Sequence, residues 1–190
     1  MLTQTYLRTK FNEGRDFGVY IASGRPNQRD GWARVHSQVA VTESQRALLA
    51  AFTRRINVLV TSGLWCGDCA AQVPMLARIE SANPAAIHLR ILDRDEHDDL
   101  SKQIMICGGL RVPTVLFMNE DFDFVGLLGD KTLSYLRAQA ALSLGNFCPL
   151  PGSVQPADEA AAGMADWIAE FERVHLLLRL SPKLRERHQD

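Results

Sequence analysis

One stretch of the chain combines two short strand patterns with a helical pattern between them, and this combination restricts the fold more than any other feature. Residues 56–60 (Ile-Asn-Val-Leu-Val) form an apolar run that is typical of a buried strand. Residues 87–92 alternate like a second strand, and the intervening helix ends near Ala82, before Asn83-Pro84. Strands joined through a helix run parallel with a right-handed crossover. The sequence therefore predicts a βαβ unit.

Two further helices are expected beside this unit. Thr42 and Gln45 form a capping-box pattern, in which each side chain bonds the backbone of the other residue. The helix that starts there is predicted to bury one face, made of Ala47, Leu48, Ala51 and Phe52. A second helix is predicted over residues 97–107, with Gly108-Gly109 as a left-handed stop.

The region ends with a predicted hairpin and a last helix. Residues 112–118 and 122–128 read as strands separated by a short polar turn. Because this turn is too short for a crossover, the two strands must be antiparallel. A helix over residues 131–144 follows. The predicted fold class is thus α/β, with a central mixed sheet flanked by helices over residues 42–144.

Helical extensions are predicted on both sides of this domain. Residues 1–41 contain many aromatic side chains and are expected to form short helices packed on the domain. Residues 145–190 begin with a loop and continue with an amphipathic helix over 157–180, which Pro182 separates from a polar tail. Docking of this helix on the domain is favoured, while partner binding or homo-oligomer formation is the alternative. Its apolar stripe consists of Met164, Trp167, Ile168, Phe171, Val174 and Leu178.

Composition excludes several classes of function. The net charge of the 190 residues is −1, so neither nucleic acid nor an acidic membrane surface is an expected partner. The sequence has no apolar run long enough to span a bilayer, and residues 1–8 lack a signal-peptide pattern. We therefore expect a cytoplasmic protein. In that compartment thiols stay reduced, and a closely spaced cysteine pair points to redox or metal chemistry.

Such a pair occurs in the segment Trp65-Cys66-Gly67-Asp68-Cys69, between the first strand and the following helix. A thiol at the start of a helix gains thiolate character from free backbone NH groups and the helix dipole. Cys66 is therefore predicted to be the nucleophile. Cys69 lies one turn further in and is predicted to be buried, protonated and the resolving thiol. Trp65 is expected to bury apolar area and shield one side of the dithiol.

Zinc binding is the competing reading of this spacing. A structural zinc site needs four ligands, usually as two close pairs. The sequence holds no second Cys-x-x-Cys, and its five histidines are scattered, so no metal site is predicted. Cys107 is expected to be a buried inert thiol, with a regulatory thiol as the alternative, and Cys148 has no assignable partner.

Together these motifs resemble the thioredoxin family. The resemblance covers residues 42–144 and rests on Trp65 to Cys69, Pro74, Val112-Pro113-Thr114 and Gly129. It implies a thioredoxin fold and thiol–disulfide exchange at Cys66 and Cys69 without a bound cofactor. It further implies a cis Pro113 beside the dithiol and a kink at Pro74. Trp65, Gly67 and Asp68 would support the site, and Val112 and Thr114 would bind substrate.

The sequence departs from the family pattern at two positions. Asp68 stands where thioredoxins have proline, and a carboxylate there disfavours the Cys66 thiolate. Asp68 also suits the first turn of a helix, which is the structural explanation. Val60 aligns with the buried acid that helps to deprotonate the resolving thiol. Either Asp93, Asp95 or another acid replaces it, or proton transfer runs through water.

The sequence thus predicts a thioredoxin-like oxidoreductase. Its expected substrates are disulfide-containing proteins or small thiols, with an electron-donating reductase or thiol as the second partner. The alternative is a thioredoxin-fold interaction module or redox sensor with little turnover.

Overall fold

A four-stranded mixed sheet lies at the centre of the fold, in the order β2-β1-β3-β4. The computed structural model describes residues 1–144 and 158–189. β1 pairs with β2 in parallel, and the pairs β1–β3 and β3–β4 are antiparallel. The predicted βαβ unit and hairpin are therefore confirmed. The strands are β1 (Ile56–Ser62), β2 (Ile87–Asp93), β3 (Thr114–Met118) and β4 (Phe124–Leu128).

Helices cover this sheet and extend the chain on both sides of it. None of them, within the described residues, is long and apolar enough to cross a membrane. Their bounds are α1 (Gln4–Glu13), α2 (Phe17–Ala22), α3 (Pro26–Gln38), α4 (Glu43–Ala50), α5 (Gly67–Ala82), α6 (Asp98–Ser101), α7 (Leu133–Leu144), α8 (Glu159–Leu180) and α9 (Pro182–His188).

The N-terminal helices pack on the sheet, as predicted. Arg15 exchanges both backbone hydrogen bonds with Ile91 of β2, at 2.9 Å each. The guanidinium of Arg78 in α5 donates to the carbonyl of His36 at 2.7 and 3.0 Å. Tyr20 and Trp32 lie fully within the core, with rings 5.7 Å apart. These helices are therefore anchored by backbone pairing at the sheet edge and by aromatic burial.

The long C-terminal helix α8 docks on the same core. Its whole predicted apolar stripe is buried. Nε2 of His175 accepts a hydrogen bond from the backbone NH of Thr53 at 3.1 Å, and the imidazole stacks on Phe52 at 4.3 Å. Burial lowers the pKa of His175, which fits an imidazole that serves as an acceptor. The expected polar tail is helical instead, because Pro182 occupies the first turn of α9, where its missing NH costs nothing.

The predicted helix over residues 97–107 is wrong beyond its first turn. α6 ends at Ser101, and Ile106 pairs with Gly109 across a tight turn. Cys107 and Gly108 adopt left-handed φ values of 50° and 73°, which a helix does not permit. This turn presents Cys107 to solvent, so the expected burial of its thiol is also wrong.

The buried face of α4 differs from the prediction as well. The helix buries Leu49 and leaves Ala47 and Ala51 exposed. Phe52 is buried, but it lies beyond the helix end at Ala50. Helical periodicity therefore does not extend to Phe52, and the inferred face is displaced. The predicted loop over 145–152 and Cys148 lie outside the described residues.

Candidate active site

The turn between β1 and α5 brings the two cysteines together at the edge of the core. Cys66 is the N-cap of α5, and its Sγ accepts from the backbone NH of Cys69 at 3.4 Å. Cys66 is half-buried, whereas Cys69 is fully buried, and both are free thiols. Of these two thiols, Cys66 alone is therefore accessible to a molecule from solvent. Gly67 between them faces open space, and packing does not require a glycine there.

The two thiols differ sharply in acidity. The Cys69 thiol donates to Cys66 and is the largest cause that lowers the pKa of Cys66 to about 6. Burial opposes this effect, while the backbone NH groups of Cys69 and Asp68 support it. Burial, followed by the neighbouring Cys66, raises the pKa of Cys69. At neutral pH the pair thus consists of one thiolate and one thiol, the division of charge that the sequence predicts.

The loop before β3 lies against Cys66. The peptide between Val112 and Pro113 is cis, as the family resemblance implies. The carbonyl of Val112 lies 3.6 Å from Sγ of Cys66 and accepts from its thiol form. Oγ1 of Thr114, a fully buried residue, donates to the carbonyl of Arg111 at 2.8 Å. Thr114 therefore holds the loop in position, and its role in substrate binding stays a prediction.

Trp65 forms an exposed rim beside the dithiol. Its exposed fraction is 55%, so it buries less area than the sequence predicts. A Cβ added at Gly63 would lie 2.7 Å from the indole ring, and glycine is therefore needed for the ring to pack there. The guanidinium of Arg94 lies 4.7 Å from the ring centroid, a cation–π geometry. Sequence reasoning did not find Arg94, because it follows the neighbouring strand.

Asp68 has a charged partner that the sequence does not reveal. Nζ of Lys131 lies 2.8 Å from its carboxylate. The two residues are far apart in the chain, and no local motif connects them. The Asp68 carboxylate raises the pKa of Cys66, but it is the weakest of the five effects on that thiol. Lys131 offsets the negative charge that the sequence analysis expects beside the nucleophile.

We therefore predict opposite effects from the two members of this ion pair. Asp68→Asn is expected to lower the pKa of Cys66, and Lys131→Gln to raise it, each by about half a unit for partly exposed charges. The rate of Cys66 alkylation rises with pH as the thiolate forms, with a midpoint near pH 6 in the wild type. This midpoint measures both shifts. The double variant should titrate close to the wild type, and identical midpoints in all four proteins would refute the electrostatic role.

The Ser62 hydroxyl lies beside the Cys69 thiol, where the family pattern implies a buried acid. Val60 is fully buried and apolar. Besides burial and Cys66, the strongest influences on the Cys69 thiol are the Ser62 hydroxyl and the backbone NH of Gly63, which both lower its pKa. Neither Asp93 nor Asp95 is among them. The structure therefore places the Ser62 hydroxyl, and neither the Asp93 nor the Asp95 carboxylate, among the strongest influences on the buried thiol.

Two other features of the described residues bear on ligands. A largely apolar cleft of about 310 Å³ lies beside Asp68, between α3, α5, α7 and α8. Neither cysteine lines it. Within residues 1–144 and 158–189, no three His, Cys, Asp or Glu side chains are grouped as metal ligands. The described residues therefore provide no ligand set that would support a zinc site.

The sheet order, the dithiol at a helix start and the cis-proline loop define a thioredoxin-fold protein. The thioredoxin family model matches residues 14–133. The chain belongs to the thioredoxin family. This membership supports a redox-related role in general terms.

Solved structures share the fold at low sequence identity. A protein of unknown function from Pseudomonas aeruginosa is 22% identical with a TM-score of 0.68, covering 91% of this chain and 99% of that chain. An HIV epitope scaffold is 22% identical with a TM-score of 0.66, covering 88% and 95%. Mitochondrial thioredoxin 3 from Saccharomyces cerevisiae, in its oxidized form, is 22% identical over 51% of this chain and 89% of its own, with a TM-score of 0.34. No curated protein sequence matches significantly.

Proposed function

We propose that the protein is a thiol–disulfide oxidoreductase in which Cys66 is the nucleophile and Cys69 the resolving thiol. One observation carries this proposal. The half-buried Cys66, with a pKa near 6, caps the same helix that holds the fully buried Cys69 one turn further in. A thiolate with a pKa slightly below ambient pH combines a high charged fraction with useful nucleophilicity.

The exchange proceeds in two displacements. The Cys66 thiolate attacks one sulfur of a substrate disulfide, the substrate S–S bond breaks, and one substrate thiolate leaves. Cys69 then loses its proton and attacks Sγ of Cys66, which releases the second substrate thiol and forms the Cys66–Cys69 disulfide. Two electrons pass to the substrate. A second dithiol protein or a small thiol would return them to the enzyme.

The exposed rim supports a polypeptide as the substrate. Trp65 and Leu110 are 55% and 42% exposed, and Arg94 links them by lying over the Trp65 ring and donating to the Leu110 carbonyl at 3.3 Å. Exposed apolar side chains beside a reactive group favour contact with apolar peptide segments. The backbone of Val112, next to Cys66, would pair with an extended substrate segment as a strand.

Reduction of insulin by dithiothreitol tests the proposal. The wild type should shorten the lag before the insulin B chain precipitates, and Cys66→Ser should leave the lag at the uncatalysed value. Cys107→Ser is the matched control, because it removes an exposed thiol that is not part of the proposed pair and should retain wild-type activity. If the wild type and Cys66→Ser behave alike with every reductant, the protein is an interaction module or sensor instead.

A further inference from the structure

Three buried side chains from separate elements lie close enough together to affect one another's ionisation. They are Tyr20 of α2, Ser62 at the end of β1, and Cys69 of α5, and each is fully buried. The Ser62 hydroxyl acts on both of the others, since it lowers the pKa of the Tyr20 phenol and of the Cys69 thiol. Ser62 is thus a neighbour of both the phenol and the thiol.

The hydroxyl groups of Tyr20 and Ser62 have no hydrogen-bond partner among residues 1–144 and 158–189. Buried polar groups are rarely left unpaired, and each exception calls for an explanation. A hydroxyl rotates about its own bond and is able to turn toward a charge that forms beside it. The fully buried group that must become charged during exchange is the resolving thiol. An anion at Cys69 would accept a hydrogen bond from the Ser62 hydroxyl, whose oxygen would in turn accept one from the Tyr20 hydroxyl.

We propose that Ser62 and Tyr20 stabilise the Cys69 thiolate during the resolving step, with the Ser62 O–H donating to Sγ of Cys69 and the Tyr20 O–H donating to Oγ of Ser62. This inference rests on the proposed exchange activity. In this scheme Ser62 donates to the reacting sulfur and is therefore a catalytic residue. Tyr20 acts through Ser62 and is a positioning residue, contributed by the N-terminal segment.

The arrangement addresses the least favourable part of the exchange. Burial holds Cys69 in its thiol form, yet the thiolate is the attacking species. Donors aimed at a developing charge in a water-excluded site stabilise that charge more than the neutral ground state. The proton that leaves Cys69 passes to solvent or to the departing substrate thiolate. The hydroxyls keep their protons, and the step stays balanced.

Other charged groups near this chain of hydroxyls affect its pH dependence. Asp93 of β2 and Arg15 face the Tyr20 phenol with opposite effects on it, the former raising and the latter lowering its pKa. Cys66 faces Cys69 from the helix start and raises its pKa. Removal of the Tyr20 hydroxyl alone leaves all of these groups in place. It therefore isolates the contribution of that hydroxyl to the Cys69 thiolate.

An aromatic disulfide, 5,5′-dithiobis(2-nitrobenzoic acid), separates the two displacements. All proteins carry Cys107→Ser and Cys148→Ser, so that only the dithiol reacts. The first phase releases one coloured thiolate when Cys66 attacks, and the second phase releases another when Cys69 resolves the mixed disulfide. We expect Tyr20→Phe to leave the first phase unchanged and to slow the second about five- to tenfold, since one pKa unit corresponds to a tenfold change in thiolate fraction.

Further variants distinguish the proposed hydrogen bonds through Ser62 from a mere packing effect of the Tyr20 substitution. The pH profile of the second phase should move to higher pH in Tyr20→Phe. Ser62→Ala should slow the second phase at least as much, and the double variant should match Ser62→Ala alone. Tyr6→Phe, on α1 and hydrogen-bonded to Asp99, is the control that should change neither phase.

The outcomes separate this inference from the proposed function. An unchanged second phase and pH profile in Tyr20→Phe would overturn the inference, and so would equal slowing of both phases. A wild type without any first phase would refute the proposed function itself, and the inference with it.

Discussion

Replacement of Cys69 by serine is expected to trap the protein as a mixed disulfide on Cys66. Cys69 is fully buried, so the one disulfide within its reach is the bond formed at Cys66. Without it, resolution depends on thiols from solution. Turnover should fall by about 10³-fold, because well-oriented intramolecular groups act at effective concentrations far above millimolar thiol.

Mass spectrometry of the variant after exposure to a disulfide substrate measures this effect. The adduct should map to the peptide that contains Cys66, and dithiothreitol should release it. The same adduct should form when Cys107 is also replaced by serine. An adduct that maps to Cys107, or turnover equal to the wild type, would contradict the assignment of Cys69 as the resolving thiol.

Replacement of Trp167 by alanine is expected to lower the free energy of unfolding by about 3–5 kcal/mol, the usual cost of removing a fully buried aromatic side chain. Trp167 lies in α8 and is completely inaccessible to solvent. Four residues further along the helix, Phe171 packs edge-to-face on Phe117 of β3 at 5.2 Å. Loss of the indole therefore opens a cavity between α8 and the sheet.

Chemical denaturation followed by circular dichroism gives the size of this loss. Trp167→Phe should cost less than Trp167→Ala, because the phenyl ring fills much of the cavity that alanine leaves empty. Both variants remove the indole NH, which is buried without a partner in the described residues. Leu180→Ala is the matched control on the same helix, since that side chain is 74% exposed and should change stability by less than about 0.5 kcal/mol. Equal midpoints for Trp167→Ala and Leu180→Ala would mean that α8 does not stabilise the domain.

Local patterns predicted the parts of this fold that depend on neighbouring residues. The capping box at Thr42 forms as expected, with Thr42 and Gln45 each accepting from the other backbone. The stripe of α8 is buried in full, because a long helix repeats the same face many times. The prediction failed over residues 97–107, where only three residues, Leu100, Ile104 and Cys107, form the apolar stripe on which the predicted helix rests. Left-handed residues end the helical pattern there.

In the candidate site, too, local patterns predicted some features and missed those that depend on distant residues. The cysteine spacing and the helix start predicted that Cys66 would be the more accessible and Cys69 the more buried thiol, as the structure has it. The spacing contains no information on Lys131, which reaches Asp68 from the segment between β4 and α7. Nor does it contain information on Tyr20, which approaches Ser62 from a segment that the sequence analysis treats as an extension.

The sequence by itself determined the order of the four strands and the place of the dithiol, because periodicity and the Cys-x-x-Cys spacing act within a few residues. The tertiary structure alone decided what surrounds each thiol. The groups around Cys66 and Cys69 include α2 and the Val112 loop, which are distant in the chain, and Lys131 reaches the neighbouring Asp68 from another distant segment. Electrostatic effects depend on distances of a few ångströms in space, and such distances follow only from how the helices pack on the sheet.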